Sequence, residues 1–338
     1  MKHRFAFAGF RHPHIFALLD LVGGHPDCQV VAAYEGDALT RRELETTGRV
    51  NITHENYAGM LEESGCSVVA IGDVYANRGA LAIAALEAGL HVISDKPITT
   101  KLAELEEIER LSRQHGLSVG CQLDLVENKA MRQMRSAILG GAIGEICTVN
   151  VAAQHPLRLA TRAKWYFEPN QHGGTINDIG IHVFDLIPWL TGMGWQEITF
   201  AREWNAKASD YPHFKDCAQF YGILSNRATC FADLSYLAPD TMGYELPNYW
   251  RIVIHGTRGM VEASCGAPQA TVVTDADQNI YGAQGPSDSP ATCLDDFVAE
   301  IEGRSRADGL TTERILSVSR FALEAQKLAL ISEIDTRS

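Results

Sequence analysis

Three ionisable side chains fall at helical spacing in the segment His172-Gly173-Gly174-Thr175-Ile176-Asn177-Asp178-Ile179-Gly180-Ile181-His182-Val183-Phe184-Asp185. Asp178 and His182 are four apart and Asp185 is three further on, so one face of a helix presents all three. The unperturbed pKa of histidine lies near working pH, which makes His182 a candidate general base. Gly173 and Gly174 let the chain approach a ligand closely. Gly180 inside the helix costs about 1 kcal/mol, and accepting that cost beside a histidine and two aspartates points to a site. A buried histidine bonded to its own helix neighbours is the alternative. His172 reads either as a substrate contact or as a solvated loop side chain.

A second candidate is Lys96, in Ser94-Asp95-Lys96-Pro97 directly after an apolar run. Residues just past the carboxyl end of a parallel strand face the ligand crevice, and Pro97 stiffens the turn, with a cis bond as one way to do so. Taken alone, a surface lysine after a strand explains the pattern as well. A third is the turn Gly9-Phe10-Arg11-His12-Pro13-His14, placed where a dinucleotide-binding sheet carries its GxGxxG turn. Only the first glycine is present. Arg11 can replace lost backbone contacts with a charge-assisted bond to phosphate, or it is a solvated charge. Glu35, at the end of the next apolar run, stands where an acidic residue takes the ribose hydroxyls. It would repel a 2′-phosphate, so NAD is preferred over NADP. His12 and His14 resemble a metal pair, but no cysteine or carboxylate lies near them in sequence, and no metal is expected. In the segment from His155-Pro156-Leu157-Arg158 to Lys164-Trp165-Tyr166-Phe167, the Trp165 face suits sugar C–H surfaces and Arg158 or Lys164 suits a carboxylate or phosphate. A cap or a subunit contact reads equally well.

These residues need elements to hold them. Residues 5–8, 29–34, 68–71, 91–94 and 118–122 read as strands, and 14–22, 39–46, 56–63, 78–88 and 102–115 as helices between them. Strands alternating with helices imply parallel βαβ units, and runs apolar on both faces imply a sheet covered on both sides. Residues 1–122 are therefore expected to form a doubly wound dinucleotide-binding α/β domain. Residues 123–338 change rhythm. A helix over 127–139 precedes strands over 146–153, 198–204, 217–224, 228–236, 251–254 and 270–274. Helical patterns cover 177–190 and 295–331, the latter broken at 303–309, and 276–290 reads as loop. Consecutive strands predict an α+β substrate-binding and oligomerisation domain with an open, mostly antiparallel sheet, whose bare face is expected to bury itself against another subunit.

At 338 residues, two domains are the prior. The formal charge of −13, with no Lys/Arg block, argues against nucleic acid and anionic membrane as partners. The apolar run behind the first basic residues is too short for a signal-peptide core, and no stretch reaches membrane-span length. The eight cysteines are scattered without a CxxC, as small buried hydrophobes in a reducing compartment would be, so a cytoplasmic location is expected.

Together, Gly9, Asp95-Lys96-Pro97, Ala85-Leu86-Glu87-Ala88-Gly89, Gly144-Glu145-Ile146 and Gly173-Gly174-x-x-x-Asp178-x-Gly180-x-His182-x-x-Asp185 resemble the Gfo/Idh/MocA oxidoreductase family over nearly the whole chain. The resemblance implies a Rossmann domain followed by an α+β domain with an open, mostly antiparallel sheet, and a homodimer or homotetramer. It places Lys96, Asp178 and His182 on catalytic positions, and Gly9 and Glu35 on cofactor positions. Arg11, His12, Asp73, Asp95 and Lys96 line the same expected cofactor pocket, and Arg158, Trp165, His172 and Asp185 the substrate side. Arg11 and His14 replace glycines, Asp95 replaces the usual Glu, and Asp73-Val74-Tyr75 with Arg78 replaces Thr-Pro-Asn and a His. The implied reaction is hydride transfer between NAD and a secondary alcohol of a sugar, cyclitol or sugar acid. Redox-neutral sugar elimination or glycoside cleavage, or a non-catalytic sugar-binding subunit, are the alternatives.

Overall fold

In a computed structural model the described residues are 2–282 and 290–335, and they divide into two compact units. The first comprises residues 1–122 with Asn170–Gly173 and Ala291–Arg320. Its elements run β1 (His3–Ala8), α1 (Ile15–Gly24), β2 (Cys28–Tyr34), α2 (Ala38–Thr47), α3 (Tyr57–Glu63), β3 (Val68–Ile71), α4 (Tyr75–Glu87), β4 (His91–Ser94), α5 (Leu102–His115) and β5 (Val119–Cys121). The five strands pair in parallel in the order β2-β1-β3-β4-β5. β3 is buried along its whole length, as a strand covered on both faces must be. Ile15, Leu18 and Val22, on one stripe of α1, pack into the core with Phe5, Phe7 and Val68.

The strand order reverses between β1 and β3, so the turns after these two strands flank the crevice where open α/β sheets bind ligands. Gly9 ends β1 at φ +80°, and a Cβ there would stand 2.5 Å from Cβ of Asp73 and 2.8 Å from its backbone. Only glycine permits both the left-handed turn and this approach.

The second unit comprises residues 123–169, 174–290 and 321–338. α6 (Lys129–Leu139) precedes β6 (Ile146–Pro156). A π-helical turn, Ile176–Gly180, leads into α7 (Ile181–Thr191). Then follow β7 (Trp195–Trp204), β8 (Cys217–Leu224), β9 (Thr229–Ala238), β10 (Arg251–Gly256), β11 (Gly259–Ala263), β12 (Thr271–Thr274) and β13 (Asp277–Gly282). The eight strands order as β13-β12-β11-β10-β6-β9-β8-β7. The β6–β9 pair is parallel and the other pairs are antiparallel. The loop read over 276–290 thus begins as strand, and residues 283–289 lie outside the described residues. Phe200, Tyr221 and Phe231 sit opposite one another across β7, β8 and β9 and are all exposed, an apolar stripe on the uncovered side of this unit.

The C-terminal helices are α8 (Cys293–Ile301) and α9 (Thr312–Asp335). Residues 291–320, read in sequence with the second domain, pack with the first sheet. Val119 N donates to Thr312 Oγ1 at 2.8 Å, and a Cβ at Gly120 would meet the Phe297 ring. Among the described residues, no helix is long and apolar enough to cross a membrane.

Candidate active site

In the first unit the turns after β1, β3 and β4 converge on one buried carboxylate. Asp95 has no exposed surface. Arg78, equally buried on α4, donates from NH2 to Asp95 Oδ2 at 2.9 Å. From NH1 the same guanidinium reaches the carbonyls of Asp95 at 2.8 Å, Lys96 at 2.6 Å and Pro97 at 3.2 Å, and from Nε that of Asp73 at 2.8 Å. The planar fork of one arginine thus holds the turn that delivers Lys96, through a cis Lys96-Pro97 bond. His12 Nδ1 makes a short hydrogen bond with Asp95 Oδ2, and Tyr75 OH lies 3.1 Å from His12 Nε2. Burial pushes the Asp95 carboxyl up, but Arg78 and His12 outweigh it and hold the group well below the usual carboxylate range. Burial brings His12 down to about 4 against the pull of Asp95, so the imidazole is neutral at working pH.

Arg11 pairs with Asp73 Oδ1 at 2.5 Å, and Asp73 Oδ2 accepts from Asn77 Nδ2 at 3.0 Å. Glu35 has no exposed surface. Its two oxygens accept from Phe10 N at 2.6 Å and Asp37 N at 2.7 Å, so it ties the turn after β1 to the start of α2. Burial raises its carboxyl despite those two donors. His172 is buried against the Tyr75 ring at 5.6 Å between centroids, so the solvated-loop reading does not hold.

The second unit carries the other cluster. Asp178, His182 and Asp185 are all buried, the first on the π-helical turn and the others on α7. The segment read as one α-helix therefore opens with a wider turn. Asp178 makes a short hydrogen bond with Tyr236 OH, from β9. Burial, together with the Asp178 charge, holds the Tyr236 phenol well above its ordinary range, so Tyr236 is the donor. His182 meets Trp250 edge-on at 5.4 Å, and His155 lies among Tyr236, Tyr244, Tyr249 and Trp250 with centroids 5.4–6.2 Å away. Arg162 lies 4.8 Å from the Tyr166 ring and 5.6 Å from Tyr236 while donating to the carbonyls of Pro156 and Leu157. Arg158 is exposed over Tyr244 at 5.0 Å, and Trp165 packs on Tyr166 at 4.2 Å. Sequence reasoning missed Tyr236, Arg162, His155 and Trp250. The aromatic run of Tyr236, Tyr244, Tyr249 and Trp250 was the available signal.

A buried carboxylate anchors the turn that carries Asp178. Glu203 accepts from Ile176 N at 2.7 Å and Gln326 Nε2 at 2.6 Å, and burial pushes it up to about 7. With its folded pKa raised above the ordinary 4.5, its contribution is fully present below that value and is lost as pH rises through about 7. Glu203→Gln, which stays neutral, should abolish about 2 kcal/mol of the fall in stability between about pH 5 and about pH 8. Denaturant unfolding of both proteins at the two pH values reads the difference, and identical pH dependence would contradict it.

Comparison with known proteins places the chain in a family. Residues 4–122 match the model for an oxidoreductase family with an NAD-binding Rossmann fold, and residues 131–262 match the GFO/IDH/MocA C-terminal domain. Inositol 2-dehydrogenase 1 of Saccharopolyspora erythraea is 24% identical over 261 residues, 75% of this chain and 71% of that protein. A dTDP-3,4-didehydro-2,6-dideoxy-alpha-D-glucose 3-reductase from Streptomyces violaceoruber is 27% identical over 168 residues, 50% of this chain and 48% of that protein. For several such relatives the match spans less than half of their length, 37% and 46% in two more. An inositol dehydrogenase homolog from Azotobacter vinelandii, solved with NADH and myo-inositol, superposes with a TM-score of 0.77 at 18% identity, covering 97% of this chain and 96% of that one. At that identity the likeness shows the fold. Two domain models in the family's order, over a parallel sheet and then a mixed, mostly antiparallel one, make this chain a member of the Gfo/Idh/MocA family of oxidoreductases.

Proposed function

We propose that the protein is an NAD-dependent dehydrogenase acting on a secondary alcohol of a sugar, cyclitol or sugar acid. The observation that carries this reading is the second unit's cluster, in which Asp178 and His182 stand with a wall of Tyr and Trp rings. Aromatic faces pack against sugar C–H surfaces, while buried polar groups select hydroxyls. The sugar and inositol enzymes among its relatives support the same substrate class.

The first unit fits a dinucleotide. Gly9 lets the backbone of the turn after β1 come close to a ligand, and Arg11 on the same turn carries a positive charge suited to a pyrophosphate. Glu35 and Asp37, at the end of β2, disfavour a 2′-phosphate and so favour NAD over NADP. NAD would supply the hydride acceptor. In this chain His182 takes the alcohol proton, and Lys96 hydrogen-bonds the reacting oxygen and stabilises charge developing there. Asp178, bonded to Tyr236, binds a neighbouring hydroxyl. The exposed Phe200-Tyr221-Phe231 stripe supports a homodimer or homotetramer through the open sheet, and eight cysteines held as thiols fit a cytoplasmic location.

Titration with NADH and with NADPH, followed by energy transfer from tryptophan to nicotinamide, tests the cofactor. The expected result is binding at about micromolar NADH and at least about tenfold weaker binding of NADPH, a difference of about 1.4 kcal/mol. Equal affinities would refute the preference, and no binding by the folded protein would refute the dehydrogenase reading.

A further inference from the structure

The histidines of the turn after β1 have a partner that their sequence neighbourhood does not show. His12 and His14 lie edge-on at 4.5 Å between centroids, and the fold brings Asp95, from the end of β4, to both of them. One ligand atom from each of the three residues lies within 4.8 Å of the others. We propose that His12, His14 and Asp95 form a binding site for a divalent transition-metal cation of the zinc type.

The donor set suits such a cation. Two imidazole nitrogens and one carboxylate oxygen, with an open position, are the protein ligands of many zinc sites. Bonds of about 2 Å at tetrahedral angles put ligand atoms about 3.3 Å apart. The 3.5 Å between His14 Nδ1 and Asp95 Oδ1 is close to that spacing. Asp95 Oδ1 is buried and faces only the long 3.5 Å contact from His14 Nδ1, weak compensation for a buried carboxylate oxygen that a cation would improve. Oδ2 can stay with Arg78 at 2.9 Å, which fixes the carboxylate plane as an outer-shell partner does.

As a ligand His12 binds in its neutral form. To bind through Nδ1 it gives up its hydrogen bond to Asp95 and carries its one proton on Nε2, where the Tyr75 oxygen, 3.1 Å away, accepts it. No proton leaves the imidazole in that exchange, only its position changes. His14 is about half exposed, so the fourth position opens to water or to an anionic ligand. The Arg78 charge opposes the cation at short range, so the site is weaker than an all-cysteine structural one. The resulting net positive charge favours a phosphate in the open position. This inference does not rest on the dehydrogenase reading, because the site is complete without a nucleotide.

The test is calorimetric titration of the full-length, chelator-stripped protein with zinc chloride, and separately with magnesium chloride, in nucleotide-free buffer. One zinc per chain is expected, with a Kd of about micromolar or tighter, and no saturable magnesium binding, since magnesium prefers oxygen ligands. His14→Ala, an exposed position whose folding a thermal melt checks, should weaken zinc by at least about tenfold. His12→Gln should do the same, and Cys147→Ser, removing the exposed thiol, should change nothing. Absence of saturable zinc binding would overturn the proposal. So would zinc binding unchanged in both histidine variants, or lost in Cys147→Ser. Because nucleotide binding is measured separately, either reading can fail without the other.

Discussion

Arg78→Met is expected to destabilise the protein by about 3–5 kcal/mol, more than any other single change to the nucleotide end. Methionine fills much of the volume but leaves the buried Asp95 charge without its guanidinium. It also removes the guanidinium donors from the carbonyls of Asp73, Lys96 and Pro97, and from that of Asp95, which keeps its bond from Ser94 Oγ. Each orphaned buried acceptor costs about 1–3 kcal/mol on its own. Arg78→Lys keeps the charge but offers a single ammonium where five bonds were made, so it should recover only part of the loss. Urea unfolding measures both variants. A loss under about 1 kcal/mol for Arg78→Met would mean that water replaces the guanidinium, and that Arg78 does not hold the Lys96 turn.

The second large effect belongs to the chemistry. His182→Ala should lower kcat by about 10²–10⁴, the usual contribution of a positioned proton acceptor. Cofactor affinity should be nearly unchanged, because the dinucleotide-binding domain is the other unit. Asp178→Asn, which keeps a partner for Tyr236 but removes the charge, should raise KM more than it lowers kcat if Asp178 holds a substrate hydroxyl. Steady-state kinetics separates the two. An unchanged kcat in His182→Ala, or parallel loss of NADH affinity, would remove His182 from the proton-transfer role.

The alternation of short apolar runs with helical patterns made the first sheet readable, and α5 and β8 lie where the sequence puts them. Such patterns report which residues are buried locally, not which distant strands pair. The parallel β6–β9 ladder and the packing of Ala291–Arg320 on the first sheet therefore left no mark in them. β11 and β13 were missed because each is short and bounded or interrupted by glycine and polar residues. In the candidate site, Lys96, Asp178 and His182 could be singled out because strand ends and helical spacing are local properties. The bond between His12 and Asp95 spans 83 residues. Arg78 sits in an ordinary helical pattern, and only the fold reveals that it is buried and fivefold engaged. Glu35 was read as a ribose ligand from its position after β2, where its oxygens already hold two backbone N–H groups.

The central claim is that a hydride passes between substrate and nicotinamide on this chain. The most direct measurement is rapid-scan nicotinamide absorbance in a single turnover, using enzyme saturated with NAD and mixed with a panel of sugars, cyclitols and sugar acids. The prediction is reduced nicotinamide formed with one member of the panel, persisting in a net oxidation or transient in a redox-neutral reaction, and greatly slowed in His182→Ala. Substrate consumed with no reduced nicotinamide at any time, in enzyme shown to hold NAD, would contradict it.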